Sequence, residues 1–387
     1  MKLIRITTIP LSLKVLLKGQ HQYMHHNGFD VIGVSSKGHE LEEVREVEGI
    51  RTIELEMTRF ISPIKDLKSL IGFYKLCRKE QPMIIHSHTP KAGLIGMLAS
   101  KIAGVPIRLH TVAGLPLMEA KGLKRFVLEQ VEKLTYLCAN KVYPNSNNLK
   151  EFIIASRFTA AQKLKVIGNG SSNGINTEVF KKTPEISNAA NELALKFQIK
   201  ATDFVFVFVG RLVKDKGIEE LVSAFHSLSS KYSDLRLLLV GPEERELDPL
   251  SEQCLEKIAQ NKGIIAVGFQ NDVKPYLALS NVLTFPSYRE GFPNVPMQAG
   301  CFDLPAIVTN INGCNEIIVE GENGLIIPVK EVIALQNTME KLYLDKELYK
   351  NMAAKARQMI VDRYEQKVVW DLILQEYNGH LKEKGIV

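Results

Sequence analysis

Two short segments in the second half of this 387-residue chain gather side chains that suit a charged ligand. The first is Gly210-Arg211-Leu212 with Lys216-Gly217, and the second is Glu290-Gly291-Phe292-Pro293-Asn294-Val295 with Gln298. The apolar run Phe204 to Val209 before the first segment reads as a buried parallel strand, and the residues from Ile218 onward read as a helix. Arg211 and Lys216 therefore fall on a strand-to-helix loop, where open α/β sheets bind ligands. An arginine fork and a mobile ammonium together suit a diphosphate. The second segment follows the strand-like run Val282 to Phe285 and opens another helix. Backbone N–H groups near Asn294 and Val295 can face an anion there. Gly291 lets the backbone approach a ligand beside the Glu290 carboxylate. Two cations, a helix start and one carboxylate fit a nucleotide-sugar.

Gly210 to Gly217 and Glu290 to Gln298 resemble the signature of family-4 retaining glycosyltransferases with the GT-B fold. Asn173-Gly174-Ile175-Asn176 with Phe180, Val240-Gly241, Val267-Gly268-Phe269 and Asn310 to Pro328 match further segments in order. The resemblance is specific in the second half and loose in the first, and it points to bacterial capsular and exopolysaccharide enzymes. It implies an α/β architecture of two Rossmann-like, doubly wound domains facing a central cleft, with a C-terminal helix crossing back to the first domain. It implies that Gly210, Arg211 and Lys216 hold the donor diphosphate and that Glu290 faces the sugar as a catalytic carboxylate. Gly291, Phe292, Asn294 and Val295 then complete the donor site, Gln298 meets the ribose, and Gly268 and Phe269 lie near the base. Gln298 stands where the family usually has a second glutamate. It keeps an acceptor for a diol but loses charge-assisted strength.

In the first half, His110 in Arg108-Leu109-His110-Thr111 reads as the end of a strand and resembles the catalytic histidine that the family presents to the donor sugar. The loop after the first strand lacks G-x-G-x-x-G, so a nicotinamide dinucleotide is not expected. It also lacks the paired glycines of many family members, which leaves Lys18 and Gly19 as acceptor-binding candidates. His86 and His88 have no carboxylate or cysteine beside them, so zinc is not expected. With no Asp-x-Asp motif either, the reading is metal: none and cofactor: none, the nucleotide-sugar being a substrate.

Strand-like and helix-like runs alternate throughout, which predicts parallel sheets with crossover helices. Turn residues from Gly168 to Gly174 mark a boundary. The expected division is an acceptor-binding domain over 1–180, a nucleotide-sugar-binding domain over 181–365, and a helix over 366–387 that packs back on the first.

Charge is uneven. Residues 1–182 hold 27 Lys and Arg against 15 Asp and Glu, whereas the rest hold 22 against 28. Basic amphipathic runs at Lys65 to Lys79 and Lys121 to Leu137 place this excess beside apolar residues. The expected partners are therefore a nucleotide-sugar donor, a lipid-phosphate-linked or glycan acceptor and an anionic membrane surface, while nucleic acid is not expected. Five scattered cysteines, the lack of a signal segment and the lack of a spanning stretch give a cytoplasmic expectation, peripheral on the inner membrane face. Three functions stay open: sugar transfer from a UDP-sugar in surface polysaccharide or glycolipid synthesis, epimerisation of a sugar nucleotide on the same architecture, and non-catalytic binding of a nucleotide-sugar.

Overall fold

The structure is a computed structural model that describes all residues except Arg59, Ile61, Pro116, Met118, Glu119, Leu247 and Val387. In chain order the strands among the described residues are β1 (Lys2–Ile6), β2 (Asp30–Ser35), β3 (Arg51–Glu54), β4 (Ile84–Ser87), β5 (Ile107–Val112), β6 (Lys141–Pro144), β7 (Phe204–Val209), β8 (Leu235–Val240), β9 (Ile264–Gly268), β10 (Val282–Phe285), β11 (Ala306–Thr309) and β12 (Gly324–Ile327). They form two parallel sheets, ordered β3-β2-β1-β4-β5-β6 and β12-β11-β10-β7-β8-β9. The Phe-Val alternation of β7 is buried at every position. That is what a parallel strand covered by helices on both faces requires.

Contacts divide the chain into a first unit, Met1–Gly174 with Gln366–Val387, and a second, Ile175–Glu365. Residues 175–180, which the sequence reading put in the first domain, belong with the second. Ile175 N–H donates to Tyr364 O at 2.8 Å, and Phe180 packs on the second core. The last residue of the expected 366–387 helix, Val387, lies outside the described residues. No helix among the described residues is long and apolar enough to cross a membrane.

Each unit has one switch point. In the first, the chain runs outward from β1 through β3 and then restarts at β4 on the other side of β1. In the second it runs from β7 to β9 and restarts at β10 beside β7. Loops at the carboxyl ends of β1 and β4, and of β7 and β10, are therefore neighbours, and such crevices are where doubly wound sheets bind ligands.

The helix Gln366–Glu383 buries Val369, Ile373, Tyr377 and Leu381, one residue per turn, in the first unit's core with Leu3, Val31, Ile84 and Leu109. Beneath it lies a polar layer. The fully buried Arg5 donates to Gln20 Oε1 and, at 2.7 Å, to Tyr377 Oη. His86 is held between Tyr377 Oη at 2.7 Å and Thr111 Oγ1 at 2.8 Å, and His88 stacks on it with ring centroids 4.1 Å apart. The two histidines thus serve the interior of the first unit.

Burial keeps four histidines neutral. It pushes His21 down to about 3 and His110 to about 4, and it holds His86 and His88 well below the ordinary range, with the Arg5 charge reinforcing the effect at His21, His86 and His88. Between the folded and unfolded values such a group takes up its proton only in the unfolded chain, so acid favours unfolding. Glu132, raised to about 7 by burial, acts in the opposite sense over the same range. The four histidines outweigh this single carboxyl, each contributing up to ~1.4 kcal/mol per pH unit. The urea midpoint should fall steadily from pH 6.5 to pH 5, and less steeply in His110→Asn. A flat profile across that window contradicts neutral burial.

Candidate functional site

At the second unit's switch point, β7 ends at Val209. Gly210 turns the chain, and Leu212 N–H donates to Pro242 O at 2.8 Å. A short 3-10 turn over Lys214–Lys216 follows, and Gly217 (φ +71°) caps the helix Ile218–Ser229. A Cβ at Gly217 would overlap the carbonyl oxygen of Pro286, which follows β10. The two loops are therefore pressed backbone to backbone. Tyr288 N–H donates to Asp215 O at 2.8 Å and fastens them at a second point.

This closeness brings Lys216 and Glu290, 74 residues apart, into a direct ion pair. Ser287 Oγ also lies 2.9 Å from the same Glu290 oxygen. Both members of the pair are mostly buried, with side-chain exposures of 18% and 15%. Arg211 pairs with Glu244 in a more open setting. Arg289 clamps Asp215 through Nε at 2.9 Å and Nη2 at 2.6 Å. The turn at Gly291 is held by Asn312, whose amide donates to Gly291 O. Phe292 packs on Tyr364, with centroids 5.6 Å apart. Asn294 and Val295 open a helix (Asn294–Gly300) whose cap residue, Pro293, offers no side-chain acceptor. Gln298 is half-buried on that helix, and its amide bonds to no described residue. Gly268 ends β9 with φ +68°, and Phe269 beside it is exposed.

The structure thus gathers Gly210, Arg211, Lys216, Glu290 and Gly291 around one pair of loops. Four supports were missed from sequence: Glu244 and Ser287, which touch the key side chains, and Asp215 and Asn312, which fix the loops. Ser287, at the carboxyl end of β10 three residues before Glu290, was the one that position could have flagged.

Two expectations in the first unit need correction. His110 does not end its strand. β5 continues to Val112, and the ring is buried against Ser87 Oγ at 2.8 Å and against Gly93, where a Cβ would come within 2.5 Å of it. It is a neutral interior histidine, not a group presented at the strand end. Gly19 is not an open acceptor contact either. It starts a helix with φ +78°, and a Cβ there would meet the Trp370 ring at 2.5 Å. The Lys18 carbonyl accepts from Asn173 Nδ2 at 3.0 Å, so this turn anchors the C-terminal helix and the segment before the unit boundary. The first unit has an open pocket elsewhere, of about 660 Å³, whose lining includes Thr8, Ile9, Thr89 and Pro90, at the switch point of β1 and β4.

The tight fit at Gly217 gives a direct test. Gly217→Ala combines a left-handed backbone, costing roughly 1–2 kcal/mol, with overlap on a neighbouring main chain. It should lower the melting temperature by several degrees and weaken binding of a nucleoside diphosphate by at least about tenfold, a factor worth ~1.4 kcal/mol. Unchanged calorimetric and binding curves would show that the two loops are not held in this register.

Comparison with known proteins places this geometry. Residues 191–359 match the family described as Glycosyl transferases group 1, and residues 12–147 match Glycosyl transferase 4-like. The chain is 36% identical to the capsular polysaccharide biosynthesis glycosyltransferase CapM of Staphylococcus aureus, over 99% of this chain and 98% of that protein. It is 31% identical to the UDP-Gal:alpha-D-GlcNAc-diphosphoundecaprenol alpha-1,3-galactosyltransferase of Escherichia coli, over 80% and 78% of the two chains. In fold it is similar to Anabaena HepE, solved in complex with UDP, with a TM-score of 0.81 at 18% identity, covering 98% of this chain and all of that one. With 36% identity to one such enzyme over nearly the whole of both chains, and with the basic loop and the Glu290 loop joined at one switch point, the chain belongs to the family-4 glycosyltransferases of GT-B fold.

Proposed function

We propose that this glycosyltransferase moves a sugar, with retention of configuration, from a UDP-sugar to a lipid-diphosphate-linked acceptor in surface polysaccharide assembly. The observation that carries the reading is the Lys216–Glu290 junction beside Arg211. Negative charge grows on the β-phosphate oxygen as the glycosidic bond breaks, and fixed cations at that point stabilise it. Arg211 and Lys216 take that role. Because they supply the positive charge, the reaction as proposed needs no metal. Glu290, steadied by Ser287, faces the sugar and its hydroxyls. Gln298 meets the ribose, and Gly268 and Phe269 flank the base. UDP as carrier is supported by the UDP-galactose donor in the name of the Escherichia coli relative and by the UDP bound to HepE. The lipid diphosphate is supported by that relative's acceptor. Relatives named as transferases speak against epimerisation.

A melting-temperature panel with UDP, GDP, ADP and TDP tests the donor. UDP at a hundred times its Kd should stabilise the protein by ~2.7 kcal/mol, and the shift should vanish in Arg211→Ala/Lys216→Ala. Turnover in that variant should drop about 100-fold or more. Gln298→Glu should tighten UDP binding by restoring a charge-assisted acceptor. Stabilisation by another nucleotide and not by UDP would overturn the base assignment.

We also assign the enzyme to the cytoplasmic face of the membrane. The helices Pro63–Glu80 and Gly122–Cys138 expose Ile64, Leu67, Leu123 and Phe126, with Ile64 75% and Leu123 79% accessible, among Lys65, Lys68, Lys121 and Arg125. Apolar residues interleaved with cations suit an anionic lipid surface. Sedimentation with vesicles should show binding to anionic but not zwitterionic lipid. Binding should weaken with salt and fall several-fold in Leu123→Ser/Phe126→Ser. Equal binding to both vesicle types would remove the membrane from this account.

A further inference from the structure

We propose that the pocket at the β1/β4 switch point of the first unit seats the lipid chain of the acceptor next to its diphosphate, and not the sugar that the acceptor carries. This rests on the lipid-diphosphate reading above and names the part of that substrate the pocket takes.

The argument is an account of polar groups. The wall is built from Ile9, Leu94, Leu117, Val127, Leu128 and Val131. Most of its polar members are already spent on one another. Thr8 and Thr89 share a hydrogen bond of 2.7 Å, Thr8 N–H donates to Thr89 Oγ1 at 2.9 Å, and Ala92 N–H donates to Thr8 Oγ1 at 3.3 Å. Lys91 reaches both Asp66 oxygens, at 2.7 and 2.9 Å, and also bonds to Thr58 Oγ1 and Phe60 O. Its three donors are consumed. A sugar ring placed here would press several hydroxyls against a surface where, among the described residues, Ser12, Lys124 and Glu132 are the side chains left to meet them, at about 1–3 kcal/mol for each hydroxyl left unsatisfied. A hydrocarbon chain meets no such penalty and gains about 0.8 kcal/mol per buried methylene.

The remaining polar features agree. Glu132 is buried in the wall, and its burial favours the neutral acid, which an apolar ligand tolerates. Lys124 is exposed at the pocket and has no ion pair among the described residues, so it is placed to meet a phosphate. Phe60, which also lines the pocket, is 83% exposed, and Leu123 precedes Lys124 on the exposed apolar stripe of its helix. The pocket therefore adjoins the surface assigned to the membrane, and a chain drawn from lipid would enter along apolar side chains. Its volume lies within the range of roughly 300–1,000 Å³ usual for small-molecule sites.

The test uses farnesyl diphosphate and inorganic diphosphate as probes, titrated into the full chain with UDP saturating so that the donor loops are occupied. Farnesyl diphosphate should bind at least tenfold more tightly than inorganic diphosphate. Leu94→Trp and Val127→Trp, two separate ways of filling the pocket at half-buried positions, should each remove that advantage while leaving inorganic diphosphate unchanged. Lys124→Ala should weaken both probes. Melting curves establish that each variant is folded. The proposal is overturned if farnesyl diphosphate binds no better than inorganic diphosphate, or if the two tryptophan variants bind it as wild type does. Transfer assays separate this from the broader reading. If the pocket binds the prenyl probe but no lipid-linked sugar is ever glycosylated, the acceptor reading falls and the pocket stands. If lipid-linked sugars are glycosylated but chain length is irrelevant to KM in wild type and variants alike, the pocket falls and the reading stands.

Discussion

The second unit depends on the main-chain contact between Gly217 and Pro286. Parallel sheets that wind in both directions leave two sequence-distant loops side by side at the reversal, but topology alone sets their separation only loosely. A glycine with positive φ on one loop lets the carbonyl of the other come within reach of where a side chain would be. The Asp215 and Arg289 bonds then hold that spacing. Lys216 and Glu290 meet because of it. If the loops moved apart by the width of one methyl group, the Lys216–Glu290 ion pair would become two unrelated surface charges.

The pairing of the cations also bears on how a donor enters. Arg211 rests on Glu244 in a partly exposed setting, where an ion pair contributes about 0–1 kcal/mol. A diphosphate offering bidentate acceptors can replace that carboxylate at little cost. Lys216 is different, because its pair with Glu290 is mostly buried. Ser287 lies within hydrogen-bonding distance of Glu290 independently of Lys216. On the reading proposed above, an ammonium that turns to phosphate leaves Ser287 Oγ still 2.9 Å from Glu290. The resting ion pairs thus keep the cations ordered without binding them so tightly that a nucleotide must overcome a large barrier.

Much of this was legible in the sequence, because the strands carry uninterrupted apolar runs between glycine-rich turns. The helix Ile218–Ser229 follows a glycine and carries Glu219 and Glu220 in its first turn and His226 in its last, which mark its ends. The helix Lys346–Tyr364 was not named. It buries Met352, Ala356, Ile360 and Tyr364, a stripe one residue wide on an otherwise charged cylinder, so its apolar periodicity is faint. His110 was misplaced for a related reason. Strand periodicity shows which residues are apolar, but not that β5 runs two residues further or that Gly93 opens a slot for a buried imidazole. Lys18 and Gly19 look like a loop that binds a ligand because glycine beside lysine is the same text whether the glycine meets a phosphate or an indole ring. Only the partner, Trp370, distinguishes the two, and it lies about 350 residues away in the chain.

The two switch points show how one topology can carry opposite chemistry. At β7 and β10 the loops present charges on short, glycine-rich turns, and the residue types announce themselves. At β1 and β4 the loops present threonines and a lysine, which in sequence look equally suited to a polar ligand, and the helix Pro63–Glu80 brings an aspartate to them. Packing turns them toward one another, and apart from Ser12, Lys124 and Glu132 what remains facing the space is apolar. Polar residues in a sequence are therefore not polar surface in a structure. The hydrogen bonds they make internally decide what a pocket can accept, and here they leave a wall whose free energy of contact favours carbon.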